Sequence, residues 1–323
     1  MKYLSMNQQE KAQLYFVVVI FINLSILSVI GVGTLIGVKG YISDTKFTYE
    51  TVTCCGSICS KCFFTLHTFS TVLPWVCIVV LFLGTYKAIY KILFMLSRNY
   101  RFVRFITPLS IENHPTLKKI LIEMRHYSQR IVLYDSESLS AFTLGILKPT
   151  IYLSTGICSQ LTTKELLAVI LHEIHHRKDM TPLKLFVMQL LYSFNFFLSI
   201  NHYLLNLYSA SSEKAADDTA ISISKEPLEL ASALVKLSKS KTKATLSTLA
   251  AFSGGQRVVE ERIKRLLESN TTPHYFNKIE FYLSCLLSLF FAVTIWFSLF
   301  HKPFIHAHAS GCRTMSCHMP VCG

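Results

Sequence analysis

Apolar positions fall in long blocks at the two ends of this chain and in short, periodic runs in its middle. No charge occurs from Ala12 to Val38, and Leu14–Val38, at 25 residues, is long enough to cross a bilayer with tilt. A second block, roughly Thr71–Leu96, carries Lys87 and Lys91 in its last turns, and Arg98, Arg101 and Arg104 follow at once. A third, Ile279–Phe300, is preceded by Arg257, Arg262, Lys264, Arg265 and Lys278 and followed only by Lys302 and Arg313. Basic residues concentrate on the cytoplasmic side of spans. The pattern therefore predicts an inner N-terminus, an outer loop over 39–70, a cytoplasmic segment over 97–278, a last span over 279–300 and an outer tail over 301–323. A cleavable signal peptide is not expected, since its apolar core would be only about 7–15 residues.

The middle of the chain has shorter periods. Leu117, Ile120, Leu121 and Met124 share one face of a helix predicted over 115–128. Ile131–Tyr134, Ala141–Leu144 and Thr150–Ser154 read as short strands separated by turn residues, Gly145 and Pro149 among them. Thr162 and Glu165 have capping-box spacing ahead of a helix expected over 163–178. Further helices are expected from near Pro182, around Glu213 ending before Pro227, and over 228–237 and 258–267. The fold class is thus a mainly α membrane protein: transmembrane helices plus a cytoplasmic α+β domain with a small sheet.

Composition agrees. Of 323 residues, 51% are apolar and 16% charged, against about 25% charged in soluble domains. An ordinary soluble enzyme, a disordered chain and a coiled coil are excluded. The net charge of +13 is read as span flanks lying against anionic lipid, so the lipid bilayer is an expected partner and direct nucleic-acid binding is not.

The chemistry lies in His172-Glu173-Ile174-His175-His176, on the capped helix. Spacing i, i+4 stacks His172 and His176 on one face, where both imidazoles can bind one Zn²⁺. Glu173 is adjacent but no ligand, and can take a proton from a water that the metal acidifies. His175 points off the ligand face and is expected at the surface or in support. Catalytic zinc takes a third protein ligand. Glu213 is the candidate, with Asp217, again i+4, orienting a ligand histidine through its free ring N–H. For an oxyanion donor, His202, Tyr203 and Arg262 are candidates and none is singled out.

HExxH with the later ExxxD resembles a gluzincin metalloprotease. Two spans, a cytoplasmic HExxH domain and a further span resemble more narrowly the BlaR/MecR-type integral-membrane antirepressor proteases. Ala141–Gly156 is similar to that family's stretch before the zinc helix, and Glu261–Leu266 to one after it. The resemblance implies zinc on His172, His176 and Glu213, with Glu173 as catalytic base. It implies that Ala141, Phe142, Thr143 and Leu144 form the edge that pairs with substrate backbone. It also implies a cytoplasmic winged-helix repressor as substrate, with self-cleavage near 236–243 as a further expectation; a homodimer is a separate expectation that the resemblance does not supply. The family's antibiotic sensors add a penicillin-binding domain after the last span and an additional N-terminal span. Neither is found here, so a β-lactam sensor is not expected. Two alternatives stay open: a quality-control membrane protease of the HtpX kind, and a non-enzymatic metal-binding membrane receptor.

Two features constrain this picture. The apolar stretch within 183–207 cannot cross a bilayer of about 30 Å once, because His176 and Glu213 would then lie on opposite sides. Only 36 residues separate those two, too few for two full spans, so the segment is expected to re-enter or to lie against the membrane. Cys54, Cys55, Cys59 and Cys62 in the outer loop, and Cys312, Cys317 and Cys322 in the tail, face an oxidising side. Disulfides and a soft-metal sensor site are both open readings.

Overall fold

The computed structural model describes residues 6–45, 57–124, 130–240 and 262–266, with Tyr282, Leu286 and Leu289. The tail cysteines, Cys54, Cys55 and nearly all of the predicted last span lie outside the described residues. The elements are α1 (Gln8–Thr45), α2 (Ser57–Phe105), β1 (Pro108–Leu109), α3 (Pro115–Glu123), β2 (Ile131–Tyr134), β3 (Ala141–Leu144), β4 (Thr150–Ser154), α4 (Thr155–Gln160), α5 (Thr163–Lys178), α6 (Thr181–Phe194), α7 (Ile200–Ser224) and α8 (Pro227–Ser240). Within α1, Gln8–Leu35, and within α2, Trp75–Phe105, are long and apolar enough to cross a membrane. Both helices outrun their apolar runs, so the predicted loop over 39–70 is helical to Thr45 and again from Ser57. Hydropathy marks where lipid is tolerated; backbone hydrogen bonding continues through polar residues beyond it.

The chain divides into two compact units. The first takes the start of α1, the end of α2 from Ala88, and the chain on to Ser193 and again from Ile200. Its sheet has the order β1-β2-β4-β3. β1 runs antiparallel to β2, β2 parallel to β4, and β3 antiparallel to β4, with Ala141 opposite Leu153 and Thr143 opposite Ile151. Alternation gives the sheet two faces. On one, Ile131, Leu133, Ile151 and Leu153 join Leu166, Ile170 and Leu171 of α5 in the main core. On the other, Tyr134, Phe142 and Tyr152 surround Phe102 of α2, with ring centroids 5.1–6.2 Å apart. β3 is therefore an edge strand whose residues are held from both sides.

Helix α5 is the centre of this unit. Thr162 caps it: its hydroxyl accepts from Glu165 N–H, while the Glu165 side chain accepts from Thr162 N–H. That box is worth about 1 kcal/mol. Glu165 also receives Lys236 of α8 at 2.7 Å. Every residue from Ala168 to His176 is buried, so its charged residues do not form a solvated face. α7 and α8 both pack on it. Helix α3 ends at Glu123, with Met124 as its cap, short of the predicted 128.

The second unit holds the rest of α1 and α2 and the turn Phe194–Ser199 between α6 and α7. The apolar stretch over 183–207 is thus two helices, not one rod. Its turn is tied to both long helices. Asn195 Nδ2 donates to Asn23 Oδ1 at 2.7 Å. The Lys87 amine lies 3.8 Å from the Phe196 ring centroid. At Gly84 a Cβ would come within 2.5 Å of the Phe194 carbonyl oxygen, so only glycine permits that approach.

Candidate metal centre and active site

His172 and His176 stand one turn apart on α5, and α7 brings Glu213 to them. The Nε2 atoms of the two histidines are 3.1 Å apart. Glu213 Oε2 is 3.5 Å from His172 Nε2, and Oε1 is 3.5 Å from His176 Nε2. Among the described residues these three offer ligand atoms that all lie within 4.8 Å of one another. Two neutral-capable imidazoles and one carboxylate, largely buried and converging on a point, fit the donor set of a catalytic zinc.

Each donor is held by a different partner. Asp217 Oδ1 lies 3.0 Å from His172 Nδ1, the ring atom turned away from the centre. Asp217 in turn takes Arg262 Nε at 2.9 Å and Nη2 at 2.7 Å, a bidentate pair. Arg262 Nη1 donates to Glu213 Oε2 at 2.7 Å. His176 Nδ1 is 3.3 Å from the hydroxyl of Thr181, at the start of α6. Glu173 has yet another kind of partner: Thr143 Oγ1 donates to Glu173 Oε2 at 2.8 Å and lies 3.1 Å from the Glu173 main-chain oxygen.

Electrostatics follow from these contacts. Burial raises the Glu213 carboxyl, but Arg262 and His176 outweigh it and hold it well below the usual range. The same balance, with Arg262 and His172 against burial, holds Asp217 at about 2. Burial works against a charge on His172, yet Asp217 and Glu213 prevail and hold it up at about 9. His175 is pushed down to about 4 by burial and by His176 beside it. It is not at the surface: it is buried, with Nδ1 2.9 Å from the hydroxyl of Thr219.

The other sequence candidates fall elsewhere. Ala141–Leu144 is the outer strand of the sheet, beside α5. His202 sits in the first turn of α7 with Nδ1 3.4 Å from Asn206 Nδ2. Arg262, offered as an oxyanion donor, spends its guanidinium on Asp217 and Glu213 and is a brace for the ligand set. Thr143 as partner of the base and Thr181 as partner of His176 escaped the sequence reading. The first lies 30 residues from Glu173, and no spacing rule announces it.

Residues 56–266 match the family described as BlaR1 peptidase M56. The chain belongs to that family. The matched region contains His172, His176 and Glu213 together with Glu173, Asp217 and Arg262. Among solved structures, the chain is similar to that of Ste24p from S. mikatae, with 16% identity and a TM-score of 0.38. The likeness covers 64% of this chain and 66% of that one, just under two thirds of its length. No curated protein matches.

Proposed function

We propose that the chain is a zinc endopeptidase of the membrane that transduces a signal by cutting a cytoplasmic winged-helix repressor, and itself in an exposed loop. The observation that carries the reading is the convergence of His172, His176 and Glu213 beside Glu173, inside a region that matches the M56 peptidases.

The division of labour follows from the residues. A Zn²⁺ held by His172, His176 and Glu213 would polarise the scissile carbonyl and acidify a water. Glu173, held by Thr143, is placed to take a proton from an attacking water and to pass it to the leaving amine. An extended substrate strand adds to the outer edge of β3, which no other described strand occupies, and this fixes its register along α5. Asp217 and Arg262 keep the ligands oriented while charge moves. The Arg98, Arg101 and Arg104 cluster after the second apolar block supports a cytoplasmic position for this domain, where a repressor is accessible.

The test is co-expression of the full chain with a winged-helix repressor encoded beside its gene. Cleavage of that repressor is expected, and Glu173→Gln should abolish it while zinc content stays the same. Turnover of many unrelated membrane proteins with no cleavage of the repressor would replace the antirepressor reading by quality control. Unaltered signalling output with Glu173→Gln would replace it by a receptor.

A further inference from the structure

The register of β3 assigns one residue to both the substrate edge and the base. Ser154 N–H donates to the Ser140 carbonyl at 3.0 Å, and Ser140 stands opposite Ser154 in the continuation of the β3–β4 register. In an antiparallel pair, hydrogen-bonded and non-hydrogen-bonded positions alternate. Phe142 and Leu144 therefore spend their main-chain groups on β4. Ala141 and Thr143 turn theirs to the edge that no other described strand occupies. The side chain of Thr143 meanwhile points to the α5 face, is buried, and meets Glu173. A substrate strand on this edge would bond the main chain of the same residue whose hydroxyl holds the base.

The hydroxyl has one proton and two acceptors in reach, the Glu173 carboxylate at 2.8 Å and the Glu173 carbonyl at 3.1 Å. It can serve both protonation states of the base. While Glu173 is ionised, the hydroxyl donates to the carboxylate. Once Glu173 has accepted a proton, the hydroxyl turns its own proton to the carbonyl and accepts from the new carboxylic O–H. No proton is gained or lost by Thr143 in this exchange; only its rotor changes.

We infer that Thr143 is a positioning residue for Glu173, acting through this two-way hydroxyl while its main chain takes the substrate strand. The inference rests on the proposed peptidase activity, and its test separates the two. The full-length chain, purified with zinc in detergent, is assayed with fluorescein-labelled casein, and Glu173→Gln supplies the blank. Absence of turnover above that blank in the wild type counts against the peptidase reading, not against this one.

With turnover established, Thr143→Val, which keeps the shape and drops the hydroxyl, should lower kcat about 10- to 100-fold, the worth of a hydrogen bond to a charged group. KM and zinc content should stay within twofold, since the main chain and the ligands are untouched. Thr143→Ser should restore most of the rate and Thr143→Ala should not; that pair differs by a single oxygen and decides the matter if the valine variant misfolds. A valine or alanine variant within threefold of wild type overturns the inference, as does a loss confined to KM or zinc, or a serine variant no better than alanine. Independently of activity, a structure of the Thr143→Val or Thr143→Ala protein should show the Glu173 carboxylate displaced; an unmoved carboxylate also overturns it.

Discussion

The two sides of the centre are built from opposite materials. On the α7 side, the two acids beside the centre share one buried cation: Arg262 bridges Asp217 and Glu213, and both carboxyls are held below their ordinary range. On the β3 side, Glu173 meets a neutral hydroxyl. A ligand carboxylate must stay ionised whatever the reaction does, and a guanidinium guarantees that. In the proposed peptidase Glu173 is the group that would take up a proton and pass it on, and its hydrogen-bond partner is this hydroxyl. The contrast is thus between carboxylates of α7 bonded directly to a guanidinium and a carboxylate of α5 bonded to a hydroxyl.

The largest effect should come from removing the cation. Arg262→Met leaves Asp217 and Glu213 buried without their partner, and breaking a buried pair typically costs about 3–5 kcal/mol. Denaturant unfolding of the metal-free chain in detergent should show a loss of that order, and added zinc should restore part of it by neutralising Glu213. No loss in the metal-free protein would mean that the α7 side is held by something other than charge.

Next comes proton competition at His172. A folded value of about 9 exceeds the ordinary 6.5, so this group's contribution to the metal-free fold is full below 6.5 and disappears as pH rises through 9. Zinc needs the neutral ring and must expel that proton. Affinity should therefore climb about tenfold per pH unit between pH 7 and 9, roughly a hundredfold in all, and then level off. Calorimetry in buffers of different ionisation enthalpy should record about one proton released near pH 7.5. A pH-independent affinity would show that Asp217 and Glu213 do not charge the ring.

How much of this could be read without coordinates depended on distance along the chain. HExxH and ExxxD are legible because a helix converts i, i+4 into adjacency, and the capping residues Thr162 and Glu165 announce that helix. The strand limits at Ile131–Tyr134, Ala141–Leu144 and Thr150–Ser154 coincide with the observed ones because turn residues bound them. What braces the centre was not legible as such. Arg262 reaches Asp217 across 45 positions and Thr143 reaches Glu173 across 30, contacts set by how elements pack and not by any period. Hydropathy also hid the break at 195–199. Averaging over Phe194–Ser199 leaves an apolar mean, while the turn depends on single residues, the Asn195 amide against Asn23 and Gly84 beside Phe194.

The smallest and sharpest test compares the two histidines, which differ in what stands behind the ring. His172 leans on a carboxylate at 3.0 Å, His176 on a hydroxyl at 3.3 Å. Partners behind a ligand ring commonly carry about 10- to 100-fold in metal affinity. An anion raises the donor strength of an imidazole more than a neutral oxygen does, so Asp217→Asn should reach that range and Thr181→Val should fall below it, at about threefold. Competition with a chromophoric chelator at pH 10, one unit above the His172 value of about 9, where most of its proton is gone, would isolate this effect from the titration. If Thr181→Val weakens zinc as much as Asp217→Asn, orientation alone decides ligand quality on both sides, and charge on the α7 side serves only to keep the acids ionised.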